Sequence, residues 1–419
     1  MQSVNRSNQN KMRLVSSIWL AACILGSLPY LVTGYADSPV SAFFLSVSSF
    51  TTTGASLGSG LDGGLLLYYT ACQWLGGLAI LVFLSSLLPS VDSDSKSGLD
   101  SSFAGRSFSE VIKSREGNML FLIYVSISLI MFIVMVCLGH VPLEALELTL
   151  TVCSTGGLGG TAFSAIDAGI KGTGAICIAS MILSTISFTV YARLIRRDFA
   201  YVKKNTELRA YACLLVSSTL LICAANRISG VIPDIWQSFR AAGFHAVSFS
   251  STTGLTNGNI NSWPAFSKAV LCMLSFFGAS SVSTGSGIKL IRIIIAMKAI
   301  RRSFYRRIHP RVVMSLRING KAISDDTVDQ VMSFIIHYAL LFLAGCFVFS
   351  FSAPDLETAF FSSSSLINNL GSGFGAVGAE CGYDFLGPFG KLFGCFLMLA
   401  GRLEIYALML PSSGTAANS

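Results

Sequence analysis

The chain has 419 residues, of which 52% are hydrophobic and 12% are charged, and its formal net charge is +8. Soluble domains carry about 25% charged residues, so this chain cannot cover its surface in the usual soluble manner. Residues 14–33, 64–89 and 119–139 contain no charged side chain. Each stretch is long enough to cross about 30 Å of hydrocarbon as a helix. The sequence therefore predicts an all-α, polytopic membrane protein.

Hydrophobic runs predict eight spans, arranged in chain order as four outgoing and returning pairs. The pairs are 14–33 with 64–89, 117–139 with 172–192, 208–226 with 266–298, and 329–352 with 385–411. Because Lys and Arg mark the cytoplasmic side, we expect both termini in the cytoplasm. The four inner segments then hold 22 of the 29 basic residues. The positive charge thus reflects membrane orientation, and no basic soluble face indicates a nucleic-acid partner.

Between the two spans of each pair lies a segment that is too apolar for a plain loop and too short to cross the bilayer. Each segment begins with a helix-start signal, namely Asp37-Ser38-Pro39, Val141-Pro142, Pro233-Asp234 and Pro354-Asp355. Each ends in a phrase rich in Thr, Ser and Gly: SSFTTTGASLG at 48–58, TVCSTGGLGG at 151–160, SFSSTTGLTNG at 248–258 and the looser INNLGSGFG at 367–375. We interpret each segment as a half-helix that dips into the membrane and returns as extended chain.

The unit of helix, re-entrant half-helix, extended segment and helix occurs four times. Its glycines recur at intervals of 102, 98 and 117 residues, which is typical of an internal repeat. The predicted organisation is repeat 1 at 11–92, a cytoplasmic linker at 93–116, repeat 2 at 117–205, repeat 3 at 206–321 with a broken second span, repeat 4 at 322–412 and a polar tail at 413–419.

Backbone at membrane depth must be buried in protein or must line a water-filled path. Four such segments around one axis can turn their carbonyls inward, and rings of carbonyls replace the hydration shell of a potassium ion. Glycine supplies the positive φ that this backbone needs, and each half-helix points its negative end at the ion. The phrases therefore predict a cation selectivity filter formed by Thr52, Thr53, Gly54, Thr155, Gly156, Thr253, Gly254, Leu370 and Gly371.

Two further features lie inside predicted spans. The phrase GASSVSTGSG at 278–287 interrupts the second span of repeat 3, either as a flexible kink or as a functional loop. Lys289 ends this phrase and either extends to the cytoplasmic surface or helps to set a gate. Arg402 lies within the last predicted span. Glu404 cannot pair with it locally because residues two apart do not face each other on a helix, although Glu404 could pair with another helix.

These phrases, together with QWLGGLAI at 73–80, GASSVSTGSGIKLIRI at 278–293 and GRLEIYALML at 401–410, resemble the Trk/Ktr/HKT superfamily of cation transporters. The resemblance covers essentially the whole chain. It implies four fused M1–P-loop–M2 repeats around a pseudo-four-fold pore, with Gly54, Gly156, Gly254 and Gly371 as filter glycines. Glycine at all four positions resembles the potassium-selective members, whereas plant relatives with serine at the first position select sodium.

The start of the chain is similar to the Ktr-type core, and the Trk and Ktr subtypes both stay open. The fourth filter reads Gly-Ser-Gly where many Trk-type relatives have Gly-Pro-Gly, and we expect only a minor geometric effect. The resemblance further implies an intramembrane gate loop below the filter, made of Gly278, Ser280, Ser281, Ser283, Thr284, Gly285, Gly287 and Lys289. It also implies that Arg402 faces the pore as a positive barrier.

The resemblance implies a homodimer, surrounded by membrane lipid, that binds a cytosolic nucleotide-binding regulatory subunit of the RCK type. The basic inner segments 193–209 and 298–321 are the expected docking surface. No bound cofactor is expected, and potassium is the transported ion. We expect the protein in the bacterial cytoplasmic (inner) membrane.

The sequence thus indicates potassium uptake through a four-repeat filter. One alternative is uptake of sodium, or of sodium and potassium, by the same fold, and the coupling ion of any symport stays open. Another is a secondary transporter with broken helices, which would show inverted repeats rather than four repeats of one hand. A membrane-embedded enzyme would need acidic or histidine pairs within the spans, and the sequence shows none, so we expect no catalytic activity.

Overall fold

The computed structural model describes residues 16–58, 61, 63–87, 115–157, 170, 172–309, 315–378 and 382–404. Most of the predicted linker at 93–116 and the whole tail at 413–419 lie outside these residues. Helices dominate the described part of the chain, and their order repeats four times. The structure therefore confirms a helical fold built from four similar units.

Each repeat consists of a leading helix, a short inner helix and a trailing helix. Repeat 1 contains α1 (Ser16–Val32), α2 (Pro39–Phe50) and α3 (Gly63–Leu87). Repeat 2 contains α4 (Arg115–Cys137), α5 (Pro142–Ser154), and a trailing helix in two parts, α6 (Thr173–Thr185) and α7 (Phe188–Ile195). The short helix α8 (Phe199–Lys204) leads into repeat 3.

Repeat 3 contains α9 (Thr206–Ile228), α10 (Ile235–Ser250), and a trailing helix in two parts, α11 (Ala265–Phe276) and α12 (Leu290–Ile308). A small antiparallel hairpin follows, with β1 (Arg317–Ile318) paired to β2 (Lys321–Ala322). Repeat 4 contains α13 (Asp325–Phe349), α14 (Leu356–Ile367) and α15 (Pro388–Arg402). Single 3₁₀ turns occur at Ile260–Ser262 and Gly375–Val377.

The four short inner helices begin at the residues that the sequence predicts. Ser38, Asp234 and Asp355 each accept a hydrogen bond from the backbone N–H three residues later, at 3.2, 2.8 and 2.6 Å. Such N-caps satisfy one of the free donors in the first turn. Helix α5 uses Pro142 in its first turn without a side-chain cap. Proline has no backbone N–H, but the N–H at this first position has no partner within any helix. Beginning the helix with Pro142 therefore costs little free energy.

The inner helices form the buried centre, and the long helices surround them. On α2, α5, α10 and α14 most side chains of the C-terminal half are buried. The outer helices instead expose large apolar side chains, such as Leu25, Leu122, Val216 and Phe347. An apolar exterior of this extent is stable in lipid and not in water. The structure therefore describes a membrane protein.

Four described helices are long and apolar enough to cross a bilayer: Gly63–Phe83, Gly117–Cys137, Thr206–Ile228 and Asp325–Phe349. The predicted span at 172–192 is present as two helices, α6 and α7, which meet at an angle of 88°. Ile186 and Ser187 both adopt extended backbone at the bend. Partners from repeat 3 satisfy the freed groups: Phe188 N donates to Val282 O at 2.8 Å.

The predicted interruption at 278–287 is present as a nonhelical connection between α11 and α12. We call residues 278–289 the interrupting loop. The last helix differs from the prediction, because α15 ends at Arg402 and Leu403 is its C-cap. Arg402 therefore lies in the last turn of the helix instead of mid-span, and residues 405–411 of the predicted span lie outside the described residues.

Candidate functional site

The four Thr/Ser/Gly phrases share one backbone conformation directly after the inner helices. In each, a left-handed residue is followed by one ordinary residue and then by a glycine with positive φ. We call these three-residue stretches filter segments 1 to 4: residues 52–54, 155–157, 252–254 and 369–371. Their first residues have φ of 53, 56, 58 and 53°, and their glycines 81, 59, 69 and 79°.

This common conformation corrects the predicted register of segment 2. The glycine with positive φ is Gly157, and Gly156 takes the middle position held by Thr53, Thr253 and Leu370. The hydrogen bonds agree, because Thr53 N, Gly156 N, Thr253 N and Leu370 N each donate to the carbonyl five residues before. The predicted filter glycine Gly156 is therefore one residue early.

The four filter segments close into a ring. A Cβ atom added to each positive-φ glycine would collide with the carbonyl oxygen of the middle residue in the next segment. The pairs run in cyclic order: Gly54 with Gly156 O, Gly157 with Thr253 O, Gly254 with Leu370 O, and Gly371 with Thr53 O. Four carbonyl oxygens from four repeats thus surround one axis, and each contact requires glycine.

Side chains from the same and neighbouring repeats fix these segments. Within repeats 1 and 3, Ser48 and Ser248 donate to the carbonyls of Ala55 and Leu255 at 2.8 and 2.5 Å. Between repeats, Asn369 Nδ2 donates to Thr53 Oγ1 at 2.9 Å. These contacts leave the segments little freedom to change the width of the ring.

Repeat 4 contributes two further donors to filter carbonyls. Tyr383 Oη donates to Gly371 O at 3.0 Å. Ser372 Oγ donates to Gly254 O at 2.7 Å, a contact that proline at this position would lack. The Gly-Ser-Gly phrase therefore adds a bond between segments 3 and 4 that the sequence did not predict.

Helix α3 approaches filter segments 1 and 2 closely. Gly76 lies against the carbonyl of Phe50, and a Cβ on Gly77 would lie 3.1 Å from Ser154 Cβ. Between them and the ring, Gln73 Nε2 donates to Gly156 O and Gly157 O, both at 2.7 Å. The QWLGG phrase is thus explained by the contacts of Gln73 with filter segment 2 and of Gly76 and Gly77 with the ends of the inner helices α2 and α5.

The interrupting loop lies directly beneath filter segment 3. Ser286 N donates to Thr252 Oγ1 at 2.8 Å, and a Cβ on Gly285 would lie 3.0 Å from Ser251 O. On the other side the loop fills the bend of α6 and α7, where Thr284 Oγ1 donates to Ser184 O at 3.0 Å. Thr52, the counterpart of Thr252 in segment 1, has a buried hydroxyl without a hydrogen-bond partner among the described residues.

Glu207 at the start of α9 holds the loop through its carboxylate. Ser281 N and Ser281 Oγ donate to Glu207 Oε1 at 2.8 and 2.9 Å, and the hydroxyl also lies 2.9 Å from Oε2. Thr206, the preceding residue, donates through its N–H to Asn319 Oδ1 in the β-hairpin at 2.9 Å. The hairpin, the start of α9 and the loop are therefore connected in series.

Both predicted charged residues are buried beside the loop. Arg402 is 3% exposed and donates through Nη1 to Thr284 O and Ser286 Oγ, each at 2.7 Å. Its Nε and Nη2 atoms have no partner among the described residues. Lys289 is 4% exposed and its Nζ donates to Gly285 O, so the ammonium remains with the loop and does not extend to the surface.

Glu404 forms an ion pair with Arg292 of α12, as one alternative from the sequence allowed. The guanidinium of Arg292 also lies 4.1 Å from the ring centroid of Phe334 on α13. These contacts tie the chain after α15 to the helix that follows the interrupting loop. The loop is thus attached on both sides to neighbouring repeats.

The structure brings the predicted filter and loop residues into two layers of one site. Several residues that belong to it were not predicted, among them Gln73, Gly157, Glu207, Thr252 and Asn369. Aligning TTG at 52–54 with TGG at 155–157 selects Gly157, but STG at 154–156 is an equal match in the sequence and selects Gly156. Gln73 and Glu207 have no local signal, since their contacts join residues 83 and 74 positions away.

Comparison with known proteins places this geometry in context. Residues 2–415 match the sequence model of the family TrkH, described as cation transport protein. The Trk system potassium uptake protein TrkH of Vibrio parahaemolyticus is 28% identical, over 97% of this chain and 87% of that protein. TrkH and TrkG of Escherichia coli strain K12 are 28% and 26% identical, over 95% and 96% of this chain and 83% and 84% of theirs.

The structural comparison agrees with the sequence comparison. The crystal structure of the potassium transporter TrkH from Vibrio parahaemolyticus matches with a TM-score of 0.83 and 26% sequence identity. The match covers 96% of this chain and 84% of that one. The two chains therefore share the fold as well as the sequence family.

Proposed function

This chain belongs to the TrkH family of cation transport proteins, and we propose that it is the ion-conducting membrane subunit of a potassium uptake system. The observation that carries the proposal is the ring of four carbonyl oxygens, one from each repeat. The relatives named above are potassium uptake proteins. Their function and this geometry support the same ion.

The filter segments suit a dehydrated cation. A ring of fixed carbonyl dipoles replaces the hydration shell of potassium. The inner helices α2, α5, α10 and α14 all end at the ring. Their partial negative ends face the same point, which stabilises a positive charge there. Glycine in all four segments supports potassium over sodium as the selected ion.

We assign the gate to the interrupting loop. It lies under segment 3 and is bound through Thr252, Ser184, Glu207 and Arg402. Ions that leave the filter would pass only after these contacts rearrange. Arg402 would add a positive charge beneath the ring, which raises the energy of a cation until the loop moves. Lys289, bound within the loop, would move with it.

Regulation would come from the cytosolic side. Exposed basic residues lie directly after α7, on α8 and on α12: Arg196, Arg197, Lys203, Lys204, Arg301, Arg306 and Arg307. We propose that they form the docking surface for a nucleotide-binding regulatory subunit of the RCK type. The same proposal places the chain as a homodimer in lipid of the bacterial inner membrane, with both termini in the cytoplasm and no bound cofactor.

Growth rescue tests the proposed function. Expression of the chain in a bacterium that lacks its own potassium uptake systems should restore growth at low potassium, and purified protein in liposomes should take up rubidium. Gly54→Ser should abolish uptake or shift it towards sodium, because a side chain at Gly54 collides with Gly156 O. Equal uptake of sodium and potassium by the unmodified chain would contradict the proposed selectivity. If uptake requires an added regulatory subunit, the transport proposal stands and the partner proposal gains support.

A further inference from the structure

We infer that Gln73 of α3 is a positioning residue for the ion filter, holding the carbonyls of segment 2 from the neighbouring repeat. The inference rests on the proposed function, because it concerns the selectivity of the same ring. Gln73 is fully buried. Its Nε2 donates to Gly156 O and to Gly157 O, at 2.7 Å in each case. One amide group thus binds two consecutive carbonyls of the filter.

The orientation of the Gln73 amide is fixed independently. Thr151 Oγ1 donates to Gln73 Oε1 at 3.3 Å from the last turns of α5. An amide carries its donors and its acceptor on opposite sides. With the oxygen turned towards Thr151, both N–H groups point at segment 2, where the two acceptors lie.

Segment 2 needs this support more than segments 1 and 3 do. In segments 1 and 3 the middle threonine is held through its hydroxyl: Thr53 contacts Thr51 and Thr253 contacts Ser251, both at 2.7 Å. Gly156 has no side chain with which to make this contact. Two consecutive glycines are also the most flexible pair that a filter can contain.

Gln73 occupies the space that the missing threonine would take. A Cβ atom on Gly156 would lie 2.6 Å from Gln73 Cδ, so the two side chains exclude each other. Repeat 2 therefore replaces a threonine within the segment by a glutamine from α3. Gln73 binds the carbonyls of segment 2 directly, whereas the hydroxyls of Thr53 and Thr253 hold only the residues that carry them.

The bonds leave Gly156 O available to an ion. A carbonyl oxygen has two lone pairs, so it can accept from Gln73 and still face the axis. Without the N–H donors of Gln73, the carbonyl groups of Gly156 and Gly157 can rotate. The width of the ring is then no longer fixed on the side of segment 2. Sodium is then less strongly excluded, since discrimination depends on carbonyls held at the spacing that suits potassium.

The test compares Gln73→Leu, which keeps the volume and removes the donors, with Thr70→Val on the same helix. Thr70 is also fully buried, but the partner of its hydroxyl within the described part of the chain is the carbonyl of Leu67 in α3 itself. The melting temperature of each purified protein is measured at increasing concentrations of potassium or sodium. Rubidium uptake into liposomes is measured with sodium as competitor. We expect Gln73→Leu to lower the potassium-to-sodium ratio of apparent affinities about tenfold. Thr70→Val should leave the ratio unchanged.

A rescue variant separates positioning from general damage. The double variant Gln73→Ala with Gly156→Thr restores the sequence pattern of segments 1 and 3, where Ser154 occupies the position of Thr51 and Ser251. We expect it to recover the selectivity that Gln73→Leu loses. A double variant that melts like the unmodified protein but remains unselective would overturn the inference, as would a Gln73→Leu protein with an unchanged ratio.

The unmodified protein shows which claim has failed. If it binds potassium in preference to sodium and takes up rubidium while Gln73→Leu behaves identically, only the role of Gln73 is overturned. If the unmodified protein neither prefers potassium in the melting assay nor takes up rubidium, the proposed function fails and this inference fails with it.

Discussion

Arg402 donates through Nη1 to the carbonyl oxygen of Thr284 at 2.7 Å, which ties the last turn of α15 to the loop that interrupts repeat 3. The same nitrogen reaches Ser286 Oγ at 2.7 Å. Ser286 also donates its backbone N–H to Thr252 Oγ1 of filter segment 3, and Thr284 Oγ1 donates to Ser184 O at the bend of α6 and α7. The position of the loop therefore depends on a buried charge from repeat 4.

Arg402→Ala should increase cation leak. Hydrogen bonds to a charged group contribute about 1.5–3 kcal/mol each, and a tenfold change in an equilibrium corresponds to about 1.4 kcal/mol. Losing both bonds should thus raise the open fraction of the loop tenfold or more, and the barrier charge disappears as well. Rubidium efflux from liposomes without a regulatory subunit measures the effect.

Arg227→Ala is the matched control for that experiment, since Arg227 is exposed at the end of α9 and, among the residues that the structure describes, donates to Pro233 O at 3.2 Å. Arg402→Lys should give an intermediate leak, because lysine keeps the charge but not the planar donor geometry. If Arg402→Ala leaks no faster than Arg227→Ala at equal protein density, Arg402 does not stabilise the closed loop.

Glu207→Ala should loosen the interrupting loop without altering the filter. The carboxylate accepts from the N–H and the hydroxyl of Ser281, and such charge-assisted bonds are among the stronger ones. Ser281→Ala removes the hydroxyl alone and should have a smaller effect. Hydrogen exchange of residues 278–289 reports the change directly, and we expect exchange at least tenfold faster for Glu207→Ala.

Glu144→Ala controls for the loss of a carboxylate, because Glu144 is exposed in the first turn of α5. The potassium-to-sodium ratio of Glu207→Ala should match that of the unmodified protein. Unchanged exchange in the loop would show that the contacts of Thr284 and Ser286 suffice to hold it.

Local signals in the sequence predict most of the architecture. Helix-start residues such as Ser38 and Asp355 identify the inner helices because a cap acts within one turn. The glycine and serine content of 278–287 identifies the break in repeat 3, since those residues disfavour a helix. Both signals depend on residues that are neighbours in the chain.

Features set by distant contacts could not be predicted. The bend at Ile186 and Ser187 contains neither glycine nor proline, and residues about a hundred positions later satisfy its free backbone groups. In segment 2 two glycines stand side by side, so composition alone cannot tell which of them takes positive φ. The ring of contacts with Thr253 O identifies Gly157.

Asp355→Ala should lower the melting temperature, whereas Asp355→Asn should change it little at neutral pH. A hydrogen bond from the backbone N–H of Thr358, and then one from its hydroxyl, hold the pKa of the Asp355 carboxyl below its usual value. Losing an N-cap costs about 1 kcal/mol, and asparagine caps as well as aspartate does.

The same cap predicts a pH dependence for the start of α14. Because the folded pKa is lowered, the stabilisation is complete above the ordinary pKa of aspartate, near 3.9, and is lost as pH falls through the lowered value. Melting of the unmodified protein between neutral and acid pH, compared with Asp355→Asn, isolates this contribution. Parallel melting curves for the two proteins would show that the charge of Asp355 does not support the helix.

Gly157→Ala and Gly254→Ala should both abolish selective uptake, whereas Gly156→Ala should retain part of it. Alanine at a left-handed position costs roughly 1–2 kcal/mol, and at Gly157 its Cβ also collides with Thr253 O. At Gly156 the φ is not positive, and the obstacle is the side chain of Gln73, which can shift. Gly174→Ala is the control for an added methyl group in repeat 2, because no atom of the described residues lies within 4 Å of the added Cβ. Rubidium uptake with sodium as competitor compares the variants. If Gly157→Ala takes up rubidium like the unmodified protein while Gly156→Ala is inactive, Gly156 is the filter glycine, as predicted from the sequence.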